Sequence, residues 1–166
     1  MSLRLILIRH AKSSWDHPGP DHARPLNGRG RRSADAVGDR LRARGHVPQE
    51  ILCSDAARTR ETLERMLARW PETPEVSYLP VLYGAGPGEI LQVLRAASAP
   101  RVGVVGHNPG IGAFASAMAA AAPDHRRFHD YPTCATTVME FDADRWEDLR
   151  PGTGRVLDFI VPRELD

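Results

Sequence analysis

Lysine is nearly absent from this sequence. Of 22 basic residues, 21 are arginine and the single lysine is Lys12. Either an arginine-rich composition has left one lysine by chance, or position 12 needs a compact ammonium. An excess of charge of one sign is missing too. With 22 basic and 21 acidic residues the formal charge is +1, so no broad field draws the chain onto nucleic acid or an anionic membrane. Cysteine is scarce: Cys53 and Cys134 stand alone, with neither the density of a disulfide scaffold nor the paired spacing of a zinc site, which points to a reducing compartment. No apolar run approaches the roughly 20 residues that cross a bilayer, and the run at 3–8 is too short for the core of a signal peptide. The expectation is a cytoplasmic protein without a membrane or nucleic-acid partner. No repeat, low-complexity tract or linker divides the chain, so residues 1–166 are expected to form a single domain around one core.

What the sequence does contain is alternation. "LRLILI" (3–8), "EILC" (50–53), "EVSYLPVLY" (75–83) and "RVGVV" (101–105) read as strands or extended segments. Between them lie helical patterns. In "RRSADAVGDRLRARG" (31–45), Ala34, Val37 and Leu41 share a face and Gly45 closes the helix. "ARTRETLERMLARW" and "PGEILQVLRAA" read as further helices, and a small-residue helix follows from Pro109 to about Ala122. The tail adds two strands, "TCATTVMEFD" and "GRVLDFIV", with "ADRWEDL" as a turn or short helix between them. Strands alternating with helices predict an α/β fold, a three-layer αβα sandwich around a mostly parallel sheet.

The chemistry sits where the strands stop. The first runs into Arg9, His10, Lys12 and Ser13, the second into "SDAAR" with Arg58, and the fourth into "GHNPG" with His107. In an open parallel sheet these strand ends share one edge, where ligands bind. Asn108 is expected to cap a helix with Pro109 at its first position, so free backbone N–H groups and the positive end of the helix dipole sit beside His107. Such a set suits an anion, and a phosphoryl group matches forked guanidinium donors. His10, flanked by cations that keep it unprotonated, is the candidate nucleophile, and His107 the stabiliser of the transferring group.

"LIRHAKSSW", "SDAARTRET" and "VVGHNPG", together with "RPLNGRGRRSADAVG" and "YPTCATTVMEFD", resemble the histidine phosphatase superfamily and, within it, the SixA-type phosphohistidine phosphatases. The resemblance implies a phosphoglycerate mutase-like fold and a two-step reaction through a phosphohistidine intermediate, with no metal and no cofactor. It implies His10 as nucleophile, Arg9, Arg58 and His107 as the rest of the phosphate pocket, and Lys12 and Ser13 in the loop that covers the phosphate. "RHAK" departs from the Arg-His-Gly-Glu of the mutase-like branch, which favours the SixA type.

Superfamily members that cleave esters usually supply an acid from the loop after the third strand. Here "LYGAGPGEIL" offers Glu89, placed either as that acid or as a first-turn residue favoured by the helix dipole. An alkoxide leaves poorly without an acid. Imidazole, with a conjugate-acid pKa near 6.5, leaves readily, so a site without an acid prefers P–N bonds. The expected partner is a phosphorylated protein or small molecule; the alternatives are a phosphomonoesterase that depends on Glu89, or a phosphate-binding module without turnover. His125 and His129 in "HRRFH" have a zinc-like spacing but no third ligand nearby, and no metal site is expected. The loop from Ser14 to Arg24 is either a substrate-contacting rim or a passive connection. His10→Ala is expected to abolish turnover while sparing the fold, checked by phosphate release alongside circular dichroism.

Overall fold

A computed structural model of the chain describes residues 2–165. Six strands form one sheet: β1 (Leu3–Arg9), β2 (Glu50–Ser54), β3 (Glu75–Leu79), β4 (Arg101–Gly106), β5 (Thr136–Phe141) and β6 (Arg155–Ile160), in the order β3-β2-β4-β1-β5-β6. The pairs β1/β4, β2/β4 and β2/β3 are parallel, whereas β5 and β6 run antiparallel. Four helices cover the sheet: α1 (Gly28–Ala43), α2 (Ala57–Leu67), α3 (Pro87–Leu94) and α4 (Gly110–Met118).

The alternation of β1 divides the core. Leu3, Leu5 and Leu7 pack with Ile90 and Leu94 of α3 and Phe114 and Met118 of α4. Ile6 and Ile8 point the other way, onto Val37 and Leu41 of α1 and Leu63 and Met66 of α2. The result is the expected three-layer sandwich. All four parallel strands end at one edge, and that edge carries the site. Among the described residues no helix is long and apolar enough to cross a membrane.

Several boundaries differ from those expected. Helix α1 starts three residues early, because Asn27 caps it by accepting from the Gly30 N–H at 2.8 Å. The expected cap at Asn108 shifts by one: Pro109 stands at the cap, Gly110 begins α4, and Asn108 Oδ1 accepts from the Gly112 N–H at 3.1 Å. Helix α4 ends at Met118 because Ala119 turns extended and bridges to Gly154. The run "EVSYLPVLY" breaks at Pro80, which opens a 3-10 turn.

Helices α1 and α2 are clamped by two-pronged pairs, Arg65 on Asp35 and Arg69 on Asp39, and by the Trp70 indole donating to the Gly38 carbonyl at 3.0 Å. These pairs are half-exposed and individually modest. The tighter constraint is at Gly30, where a Cβ would lie 2.0 Å from the Lys12 carbonyl oxygen. The first turn of α1 thus presses on the segment that follows β1. Gly30→Ala is expected to cost about 1–3 kcal/mol through overpacking, lowering the melting temperature by roughly 2–4 °C per kcal/mol. Gly88→Ala, with open space around its Cβ, should leave it nearly unchanged in the same thermal scan.

Candidate active site

The recess at the strand ends is built from three neighbouring strands. β1 delivers Arg9 and then His10, β2 ends in Ser54 with Arg58 one turn further at the start of α2, and β4 runs into His107. The backbone of His10 is held from both sides. Its N–H donates to the Gly106 carbonyl at 3.0 Å and its carbonyl accepts from the Cys134 N–H at 2.9 Å.

The ring of His10 is held as well. Nδ1 lies 2.7 Å from the Ala11 carbonyl oxygen. A carbonyl only accepts, so Nδ1 carries the proton and Nε2 keeps its lone pair. The Ala11 peptide is fixed in turn, its N–H donating to Thr62 Oγ1 at 3.0 Å while the Thr62 hydroxyl donates to the Arg58 carbonyl at 2.7 Å. One turn of α2 therefore sets both the ring of His10 and the root of Arg58.

Burial pushes the His10 imidazole down to about 3, with His107, Arg9 and Arg58 acting in the same sense and the Ala11 bond opposing. The His107 ring, 5.3 Å from it between centroids, is lowered to about 4, again by burial first and then by Arg58. Both rings are neutral at pH 7. Ser54 Oγ accepts from the Ala56 N–H at 3.4 Å and lies 2.8 Å from His107 Nε2. A Ser54 hydroxyl hydrogen given to Nε2 leaves the His107 proton on Nδ1.

The guanidinium groups are anchored by their outer nitrogens. Arg58 Nη1 donates to the Asp21 carbonyl at 2.9 Å and Nη2 to Asp21 Oδ2 at 3.1 Å. Arg9 Nη1 donates at 2.9 Å to the Tyr131 carbonyl, which also accepts from Asn108 Nδ2 at 3.0 Å. Tyr131 holds that carbonyl in place from a left-handed conformation, φ 47°. Among the described residues four buried side-chain nitrogens lack a hydrogen-bond partner, and three of them, Arg9 Nε, Arg58 Nε and His107 Nδ1, belong to this recess. An unpaired buried donor costs roughly 1–3 kcal/mol. Three around one neutral imidazole make a site that an anion completes.

A model of the histidine phosphatase superfamily (branch 1) matches residues 5–82. A solved structure from Nakamurella multipartitia, assigned to the phosphohistidine phosphatase SixA, is 31% identical and superposes with a TM-score of 0.80, covering 98% of this chain and 97% of the other. The chain belongs to the histidine phosphatase superfamily. A second structure assigned to SixA, from Agrobacterium tumefaciens, is 29% identical with a TM-score of 0.79, covering 96% of this chain and 98% of its own. An uncharacterised protein of Mycobacterium tuberculosis is 36% identical over 168 residues, 94% of this chain and 100% of its own length. The fold is the phosphoglycerate mutase-like one, shared with a Plasmodium falciparum phosphoglycerate mutase at a TM-score of 0.62.

In this histidine phosphatase the structure brings Arg9, His10, Arg58 and His107 together and places the other candidates elsewhere. Ser13 is buried, and its hydroxyl accepts from Arg24 Nη1. Lys12 lines another cavity with Arg29 and Arg163. Glu89 stands in the first turn of α3, where Oε1 accepts from the Gly86 N–H at 3.1 Å. His125 pairs with Glu164 at 2.9 Å, and the described residues hold no group of three metal-ligating side chains.

Sequence reasoning missed Ser54, Thr62, Asp21 and Tyr83. Ser54 and Thr62 lie inside the quoted "SDAARTRET", and a hydroxyl ending a buried strand was the available signal. Asp21 and Tyr83 gave none, because they meet only in the fold. The Tyr83 hydroxyl, and after it Arg58 and Arg24, holds the Asp21 carboxyl down at about 2. The loop from Ser14 to Arg24 therefore reaches the site through Asp21.

The two lowered histidines carry a linkage consequence. Below about pH 6.5 an unfolded chain protonates both rings, while the folded one keeps them neutral to about 4. The unfolded state then binds more protons, so stability falls as pH drops through this window. Thermal unfolding between about pH 7 and 5 should show a smaller loss for the His10→Gln variant. Nitrogen-resolved NMR should find His10 neutral, with its proton on Nδ1, at about pH 5.

Proposed function

We propose that this phosphatase is a single-domain enzyme that removes the phosphoryl group from phosphohistidine in proteins, in two steps through a phosphorylated His10 and with no metal or cofactor. The observation that carries the reading is the bond from His10 Nδ1–H to the Ala11 carbonyl. It leaves Nε2 as a ready nucleophile, and that ring stands among the three unpaired donors. The assignment of two similar structures to SixA supports the substrate class.

In the first step Nε2 attacks phosphorus in line with the scissile P–N bond. Arg9, Arg58 and His107 hold the equatorial oxygens, whose charge is stabilised by donors already in place. A phosphohistidine protonated on its other ring nitrogen releases neutral imidazole, so the P–N electrons leave without an enzymic acid. Phosphorylated His10 has the same form. Its proton stays on Nδ1 and is donated in a hydrogen bond to the Ala11 carbonyl, which steadies the positive charge on the ring. In the second step water attacks phosphorus, His10 leaves neutral, and inorganic phosphate departs.

The lack of a poised acid supports the P–N bond over the ester. The cavity of about 220 Å³ beside His107 is lined by Tyr83, residues 84–87, Pro109 and Ala113, with no carboxylate among the described residues. Glu89 is engaged at the start of α3, and Asp21 is held ionised. A site of this kind accepts a flat, weakly polar leaving group.

With a chelator present, the wild type is expected to cleave a phosphohistidine peptide quickly and p-nitrophenyl phosphate slowly, and His10→Ala neither. Ester cleavage as fast as P–N cleavage would move the assignment to a phosphomonoesterase. Arg58→Ala should lose roughly 3 kcal/mol of transition-state stabilisation, about a hundredfold in kcat/KM, read in the same assay.

A further inference from the structure

We propose that a second cavity, on the other side of His10 from the Arg58 side, is an anion subsite that takes a carboxylate or phosphate carried on the same substrate molecule as the scissile phosphoryl group. The proposal rests on the phosphoryl-transfer reading of His10.

The cavity holds about 250 Å³, and Lys12, Arg29, Arg127 and Arg163 line it together with Ser33 and Thr133. The four cations come from four separate segments: the turn after β1, the first turn of α1, the chain before β5, and the 3-10 turn Pro162–Glu164 after β6. Among the described residues no carboxylate lines the cavity. Arg127 is engaged by Asp130 at 2.8 Å, whereas Lys12, Arg29 and Arg163 make no side-chain hydrogen bond or ion pair among the described residues.

Where α1 meets α2 and the turn after it, arginines are paired with carboxylates: Arg31 with Glu61, Arg65 with Asp35, Arg69 with Asp39. In a chain with nearly equal charges, unpaired cations gathered around one cavity repel one another. An anion between them relieves that repulsion.

Sheet order sets the place of this cavity. Ser54, Arg58 and His107 come from the β2 and β4 side of β1, while Thr133 and Arg163 come from the β5 and β6 side. Lys12 lies two residues from His10, so their Cα atoms are at most about 7 Å apart. Thr133 precedes Cys134, whose N–H holds the His10 carbonyl. Two lining residues, Lys12 and Thr133, thus adjoin the peptides that flank and hold His10. The single lysine is among the lining residues, and its backbone carbonyl packs on Gly30 and accepts from Asn27.

The test measures binding by calorimetry on the catalytically silent His10→Ala protein, with His10→Gln in reserve if the alanine variant does not fold. Two probe pairs are compared: phosphohistidine peptides flanked by Glu or by Gln, and propane-1,3-diol bisphosphate against propyl phosphate. The more anionic member of at least one pair should bind roughly three- to tenfold more tightly at low salt. Adding Arg29→Ala and Arg163→Ala should remove that advantage and leave the less anionic member unchanged. An advantage for the peptide alone identifies acidic side chains as the source, and one for the bisphosphate alone identifies a second phosphate. Equal binding within both pairs, or an advantage that survives the double substitution, overturns the subsite. Because turnover is not the readout, failure of the wild type to cleave phosphohistidine refutes the substrate assignment separately.

Discussion

Everything at the strand edge depends on how the peptide that follows His10 is held. The Ala11 carbonyl accepts a hydrogen bond from Nδ1–H of the ring, and the Ala11 N–H is tied to Thr62. A neutral histidine has two tautomers of similar energy, and only a fixed acceptor selects one of them. Thr62 belongs to the same turn of α2 that presents Arg58, so nucleophile and guanidinium are set by one rigid piece. The backbone of His10 is also bonded to the ends of β4 and of the segment before β5. The ring therefore has little freedom to lose when a substrate arrives, the kind of preorganisation that phosphoryl transfer exploits.

The electrostatic arrangement follows from burial. A histidine in the open among two arginines would still be partly protonated in mild acid, but the desolvated His10 is driven to about 3. The guanidinium groups survive the same burial because their outer nitrogens are engaged by Asp21 and by the Tyr131 carbonyl. Their inner nitrogens are left for the ligand. Asp21 has a second effect: it couples the loop after the strand tip to Arg58 and Tyr83, so that loop is part of the site's scaffold and not a bare connection.

Much of this was legible in the chain, with exceptions. Strands β1, β2 and β4 were readable because each is a short apolar run that stops at polar residues. Arg9, His10, Arg58 and His107 could be grouped because parallel strands end on one edge. Helix boundaries were less legible. Asn27 caps α1 by a local bond to the Gly30 N–H that the apolar pattern alone passes over, and α4 stops where Ala119 finds Gly154. The second is a long-range contact that no local pattern announces. Lys12 and Ser13 were placed in the phosphate-covering loop by resemblance, and what each side chain meets there is set by the fold; Glu89 takes the first-turn position that was one of its two readings.

The sequence by itself determined the alternation of strands and helices, the parallel edge and the four residues on it, because period, strand length and residue type are local properties. It also determined the near balance of charge. Only the tertiary structure decided what fixes the Ala11 peptide that selects the His10 tautomer, which carboxylate steadies Arg58, and which cavity Lys12 lines. The first rests on Thr62, 51 residues from Ala11, and the second on Asp21, 37 residues from Arg58, brought within hydrogen-bond reach by packing alone.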